Sequence, residues 1–278
     1  MQLQINTISK LLDQSFKEDY GIRGDITTDA VVDRDKKINF AINARQDMIL
    51  CGMSIAEYYF NNYSTIEYQS YYKDGDQVKK SMTLVSGYGY AQEILLIERI
   101  ILNFMQHLSG IATLTNSYVK KVQSTKARIC DTRKTIPMLR QLQKYAVSCG
   151  GGYNHRLTLD SAIMIKDNHI AICGGIKQAL KLAKEKNPHY TKIEVECDTM
   201  EQVQEALSAN VDIIMLDNMT IEQINMAVKI IGNSAIIEAS GNVSLDNVAA
   251  IAKTGVDIIS VGKITHSAPS VDIGLDIT

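Results

Sequence analysis

The sequence predicts an α/β protein, with an α+β segment placed ahead of a run of parallel strands joined by crossover helices. Two observations predict it. After about Ile111, short apolar runs each stop at a polar residue and are separated by helix-like segments: ARICDTRK, AIMIKDNH, IEVECDT, DIIMLDN, AIIEASGN and DIISVGKIT. Before that point the texture is mixed, passing from helical spacing into strand-like alternation.

In the first third, Ile8, Leu11, Leu12 and Phe16 fall at helical spacing, and KKINFAINARQDMILCG then reads as strand. A second strand, KKSMTLVSGYG, follows the turn signal KDGD, and QEILLIERIILNFMQHLSG reads as a long, largely buried helix expected to end at Gly110. In the last four apolar runs, Glu196, Asp217, Glu238 and Ser260 recur at intervals of 21, 21 and 22 residues, so they are expected at corresponding strand positions. A βα barrel would converge such strand ends on a ligand at its C-terminal face. An open doubly wound sheet is the alternative.

The 278 residues suit one barrel-sized domain or two smaller ones, and with three prolines and no linker-like block, any two domains should pack closely. No run approaches the roughly 18 apolar residues of a membrane span, and MQLQINTISKLLDQSFKED lacks the features of a secretory signal, so a cytoplasmic protein is expected. Five scattered cysteines without a CxxC pair argue against a disulfide framework and a zinc site. A net charge of −2 gives no global attraction to nucleic acid or to an anionic membrane, so neither is expected as a partner and any anion site must be local.

The densest chemical signal is DTRKTIPMLR (Asp131 to Arg140), followed by CGGGYNHR and IKDNH. Arg133, Lys134, His155, Arg156 and Lys166 together suit a small molecule with several negative charges, because arginine offers a planar fork to carboxylate or phosphate. Singly, each is as readily a solvated surface cation, and a lone histidine is often structural, although substrate contact is favoured for His155 over general-base work. Glu196 and Asp217 end separate strands, where they suit a divalent cation, ribose hydroxyls or a developing positive charge, or else cap neighbouring helices. EASGNVSLDN and ISVGKITHS read as paired phosphate loops. No GxGxxG or GxxxxGK[ST] motif is present, which disfavours a Rossmann dehydrogenase and a nucleotide triphosphatase.

Taken together, ERIILNFMQHLSGIAT, DTRKTIPMLR, YAVSCGGGYNHR, MIKDNH, EVECDT, MLDN, EASGNV and SVGKITHSAPSVDIGLDI resemble the quinolinate phosphoribosyltransferases, also called carboxylating nicotinate-nucleotide pyrophosphorylases, from about residue 20 to the C-terminus. The resemblance implies an N-terminal α+β sandwich (1–112, completed by 267–278) and a C-terminal incomplete, TIM-like α/β barrel (113–266). It implies transfer of phosphoribose from phosphoribosyl pyrophosphate to quinolinate with decarboxylation, in NAD biosynthesis, with Mg²⁺ accompanying the donor. It further implies a homodimer in which Arg99 reaches the neighbouring site. Thr132, Arg133, Lys134, His155, Arg156 and Lys166 would contact substrate. Lys134, Glu196 and Asp217 would be catalytic, with Glu196 and Asp217 near ribose and Mg²⁺. Ser240, Gly241, Asn242, Gly262 and Lys263 would hold phosphate. Three positions depart from the family pattern: Asn242 where glycine is frequent, Lys263 where a small residue is usual, and Thr158 in a variable region. Alternatives within this frame are a molybdenum-associated homologue, favoured less because NHR and IKDNH are intact, and a noncatalytic phosphate-ligand binding protein. A structural or interaction module is less consistent with the repeated polar strand ends.

Overall fold

A computed structural model describes residues 3–278, so the first two residues of the predicted N-terminal domain lie outside it. The chain divides into two units, one formed by Met1–Asn116, Ile136–Gly151 and Ser267–Thr278, the other by Ser117–Thr135 and Gly152–His266.

In the first unit, α1 (Ile5–Tyr20) buries Ile8 and Leu12 and is followed by the short α2 (Ile26–Val31), whose N-terminal amide at Thr28 is capped by Asp25. Four antiparallel strands then build a sheet: β1 (Lys37–Ala44), β5 (Thr83–Tyr90), β3 (Glu67–Ser70) and the C-terminal β12 (Ile273–Ile277), in the order β12-β1-β5-β3. Pairing of Phe40 with Ile277 and Ala44 with Ile273 shows the end of the chain completing this sheet. The small β2 (Met48–Ile49) and β4 (Gln77–Val78) pair beside it. Between them α3 (Met53–Tyr63) buries Ile55, Ala56, Tyr59 and Phe60, and the Tyr59 hydroxyl donates to the Leu12 carbonyl at 2.8 Å, tying α3 to α1.

The long helix α4 (Ala91–Val122) does not stop at Gly110, as the glycine alone suggests. A side chain at Gly110 would place its Cβ 2.1 Å from the Pro269 carbonyl oxygen, so this glycine serves close packing of the returning C-terminal segment. By length and composition α4 could cross a membrane, although Glu98, Arg99, Asn103 and His107 break its apolar runs. Its apolar residues, among them Ile94, Ile97, Ile101 and Met105, are instead core of the protein. The helix α5 (Arg140–Cys149) also belongs to the first unit. The reason is local. It buries Leu142, Ala146 and Val147, Gln143 bonds His107 of α4, and Gly150 admits the Ala112 carbonyl to within 2.4 Å of where a Cβ would stand.

The second unit holds the six parallel strands expected from the apolar runs: β6 (Arg128–Cys130), β7 (Ile163–Ile165), β8 (Ile193–Cys197), β9 (Ile213–Asp217), β10 (Ile236–Ser240) and β11 (Ile258–Ser260). The intervening helices are α6 (Asp167–Cys173), α7 (Ile176–Lys186), α8 (Met200–Ser208), α9 (Ile221–Ile231) and α10 (Val248–Lys253), with α11 (Lys263–His266) closing the unit. Thr199 and Thr220 cap α8 and α9 in reciprocal boxes with Gln202 and Gln223, so threonine, not Glu196 or Asp217, does the capping there. The strand order β6-β11-β10-β9-β8-β7 is the chain order read around a circle. A doubly wound sheet would reverse direction part-way; this order instead belongs to a barrel left open between β6 and β7, where Tyr153 forms only an isolated bridge to Cys130.

If Gly110 is held by packing, Gly110→Ala should lower stability by about 2 kcal/mol, although helix propensity alone would raise it by about 1 kcal/mol. Urea unfolding midpoints decide the sign.

Candidate functional site

Every second residue of a barrel strand faces inward, and in this barrel many of those residues are polar. The register shows how they are layered. Glu196 and Glu238 both lie opposite Met215, whereas Asp217 lies opposite Ser240. The 21-residue recurrence therefore does not mark one layer. Asp217 sits two residues beyond the level of Glu196 and Glu238, because the connections differ in length.

A cavity of about 430 Å³ opens over these strand ends, lined by Thr132, Arg133, Lys134, His155, Arg156, Lys166, Glu196, Asp217 and Ser240, together with Met164, Met215 and Ser260. Nine residues singled out in the sequence thus share one cavity. Both methionines stayed hidden in the sequence because they sit inside apolar runs. Ser260 was visible as a strand end but carried no distinguishing chemistry.

Each charged side chain is held by its local structure. Lys166 closes β7, where its backbone N–H donates to His169 Nδ1 at 3.0 Å, and its ammonium pairs with the Glu196 carboxylate. That pair is partly exposed, so its Coulomb energy is modest. Lys134 follows a turn in which its N–H donates to the Thr132 hydroxyl at 3.0 Å, and its carbonyl accepts from Thr265 at 2.7 Å. Arg156 donates from Nη1 to the Ala162 carbonyl at 2.9 Å. Burial, reinforced by the nearby Arg133 charge and opposed by Glu194, draws the Arg156 pKa below its usual value. Asp217 accepts from the Asn218 amide at 2.6 Å.

The loop after β10 explains one departure from the family pattern. Gly241, Asn242 and Asn218 all have positive φ, at 85°, 49° and 54°. A left-handed residue is usually glycine, and asparagine is the side chain that tolerates it best, so Asn242 satisfies the backbone that a glycine would. Asn242 also donates to Asn218 Oδ1 at 3.0 Å. Gly262 lets the aliphatic stem of Lys134 pass, since a Cβ there would stand 3.0 Å from Lys134 Cδ. Lys263 begins α11 and is exposed, as are Asn242 and Lys134. Gly241, Asn242, Gly262 and Lys263 border the strand ends without lining the cavity. Arg99 is exposed on α4 and lines a cavity of the first unit with Asp19, Tyr20 and Asp25.

Below the cavity floor are three acids that sequence reading did not assign to the site: Asp131, Glu194 and Glu238, all buried. In the sequence Glu238 stands out only as a strand position, and Glu194 sits unmarked inside IEVEC. Burial, with repulsion from Glu194, pushes the Glu238 carboxyl up to about 7, against an opposing pull from His155.

Residues 25–109 match the N-terminal domain of quinolinate phosphoribosyl transferase and residues 111–276 its C-terminal domain. The chain belongs to the quinolinate phosphoribosyltransferase family. It is 43% identical to a probable carboxylating nicotinate-nucleotide pyrophosphorylase of Methanocaldococcus jannaschii, over 96% of each chain. It is 38% identical to the carboxylating nicotinate-nucleotide pyrophosphorylase of Mycobacterium leprae, over 98% of this chain and 96% of that one. Its fold superposes on the crystal structure of nicotinate-nucleotide pyrophosphorylase from Ehrlichia chaffeensis with a TM-score of 0.95, at 46% identity and with 100% of both chains covered.

The raised Glu238 pKa makes a stability prediction. The folded state favours the protonated carboxyl, so the penalty of ionising it is absent near pH 4 and grows as pH rises from the ordinary glutamate value towards 7 and above. Glu238→Gln should therefore gain stability relative to the parent between pH 5 and pH 8, by about 3 kcal/mol at most. Urea unfolding at the two pH values measures it, and an equal difference at both would refute the assignment.

Proposed function

We propose that the chain transfers the phosphoribosyl group of phosphoribosyl pyrophosphate to quinolinate and releases pyrophosphate, CO₂ and nicotinate mononucleotide, supplying NAD biosynthesis. The observation that carries this reading is the convergence of Arg133, Lys134, Arg156 and Lys166 with Glu196 and Asp217 in one cavity. Such a site fits two polyanionic substrates joined through a sugar that becomes cationic in transit.

In this reading the quinolinate ring nitrogen attacks the anomeric carbon as the bond to pyrophosphate breaks, the leaving group keeping the electron pair. Glu196 and Asp217 stabilise the charge that develops on the ribose, and the cations hold the departing pyrophosphate. The alkylated ring nitrogen then carries positive charge. Loss of the adjacent carboxylate as CO₂ leaves an electron pair on the ring carbon, which takes a proton. Arg133, Arg156 and Lys166 bind the acceptor's carboxylates, with Thr132 and His155 completing the wall. Ser240, Gly241, Asn242, Gly262 and Lys263 are assigned to the 5′-phosphate.

Glu196 and Asp217 are hard oxygen donors with partial access to the cavity, which suits Mg²⁺ arriving with phosphoribosyl pyrophosphate. When bound, the ion would help neutralise the leaving group. We further propose a homodimer in which Arg99 serves the partner's site, and a cytoplasmic location with no membrane or nucleic-acid partner. Rice and tobacco relatives are described as chloroplastic and mitochondrial respectively. The relatives matched favour neither the molybdenum-associated homologue nor the noncatalytic binding protein.

The direct test is Mg²⁺-dependent formation of nicotinate mononucleotide, pyrophosphate and CO₂ from quinolinate, with nicotinic acid as control acceptor. Turnover with quinolinate alone is expected; a folded protein that uses only nicotinic acid would overturn the reading. The shared site has its own test. Arg99→Ala and Lys134→Ala, each nearly inactive alone, should regain about a quarter of parental activity when mixed and allowed to exchange subunits, because half the dimers are hybrids with one intact site. No recovery despite exchange argues that Arg99 acts within its own chain or not at all.

A further inference from the structure

The most deeply buried polar cluster of the barrel lies beneath the cavity and engages His155 from below. His155 Nε2 stands 3.2 Å from a Glu194 oxygen and 3.6 Å from a Glu238 oxygen. Both carboxyl groups are almost completely buried; Glu194 meets the ring with Oε2, while the Glu238 oxygen that faces it, Oε1, lies beyond hydrogen-bond distance and has no hydrogen-bond partner. On the other side of the ring, Nδ1 accepts the backbone N–H of Arg156 at 2.7 Å.

This bond decides the tautomer. A ring nitrogen that accepts a hydrogen bond carries no proton, so the ring proton lies on Nε2 and faces the Glu194 carboxylate. The three ligand-type atoms are within 4.8 Å of one another, close enough for a cation. The tautomer closes that option, because a histidine ligating through Nε2 would carry its proton on Nδ1, where the Arg156 N–H already donates.

The same segment is pinned a second time. Asp131, fully buried, accepts the His155 N–H at 2.9 Å and the Asn154 side-chain amide at 2.7 Å. Arg156 is thus fixed at its amide by the imidazole and at its guanidinium by the Ala162 carbonyl.

We infer that Glu194 is a positioning residue for the transfer reaction: by holding Nε2–H of His155 it turns Nδ1 to the Arg156 amide, and so sets where Arg156 presents its guanidinium to the dicarboxylate acceptor. The kinetic part of the inference rests on the acceptor reading given above; the structural part does not.

The test begins with the unmodified protein labelled with ¹⁵N-histidine, the His155 signals being identified by their loss in His155→Gln. An Nε2–H tautomer is expected, and an Nδ1–H tautomer overturns the inference whatever the activity. Steady-state kinetics follow. Glu194→Ala should raise KM for quinolinate about tenfold or more while leaving KM for phosphoribosyl pyrophosphate unchanged, and Glu194→Gln, which keeps an acceptor oxygen, should restore it. A folded Glu194→Ala protein with parental KM values, or one in which both KM values shift alike, overturns it too. Should Glu194→Ala fail to fold, the tautomer measurement and the Gln variant decide. Absence of quinolinate turnover in the parent, with Nε2–H still observed, would reject the acceptor and leave the positioning geometry standing.

Discussion

A barrel interior excludes water, so a polar side chain aimed inward must find its partner among its neighbours or pay the full desolvation penalty. This barrel aims Asp131, Glu194 and Glu238 inward and answers the first two from one short segment, Asn154 to Arg156. The segment follows Tyr153, which bridges β6 at the open side of the barrel without forming a strand of its own. Free of a ladder, its N–H groups are available to Asp131 and to the His155 ring. The buried acids thereby place the residues that line the cavity above them.

Charge at the mouth is arranged differently. Lys166 and Glu196 pair with each other, while Arg133 and Arg156 are close enough for one to depress the pKa of the other. Like charges held together by the fold raise the free energy of the unliganded site, and an anion that enters between them lowers it. The unpaired Nε of Arg133, buried without a hydrogen-bond partner, points the same way. Of the cavity's cations it is therefore Arg133 and Arg156, not Lys166, whose charges the fold leaves opposed to each other.

How much of this was legible follows from which forces act locally. Strand ends were readable because an apolar run that stops at a charge is a local pattern, and all six runs became parallel strands. Gly110 misled because a glycine that ends a helix and one that admits a neighbouring chain look alike until Pro269 is in place. The packing of residues 136–151 with the first unit has a related cause: Leu142, Ala146 and Val147 specify a helix with one buried face, and nothing local says which unit buries it. Glu194 was the hardest to see. Inside IEVEC it is one of two glutamates at strand spacing, and only the register separates the buried one from Glu196, which reaches the cavity.

Asn242 shows where resemblance and physics inform each other. As a departure from a frequent glycine, it puts the phosphate loop in doubt; as a residue at φ 49°, it meets the loop's requirement by another route. The neighbouring Gly241 has no such freedom, because a Cβ there would lie 2.2 Å from Asn218 Oδ1. Asn218 is itself left-handed and bonds Asp217 on one side and Asn242 on the other. The loop after β10 and the acid at the end of β9 are therefore one hydrogen-bonded unit. A change at Asn242 would be felt first at Asp217 through Asn218, so the asparagine couples the loop proposed to hold phosphate to the carboxylate proposed to serve the ribose.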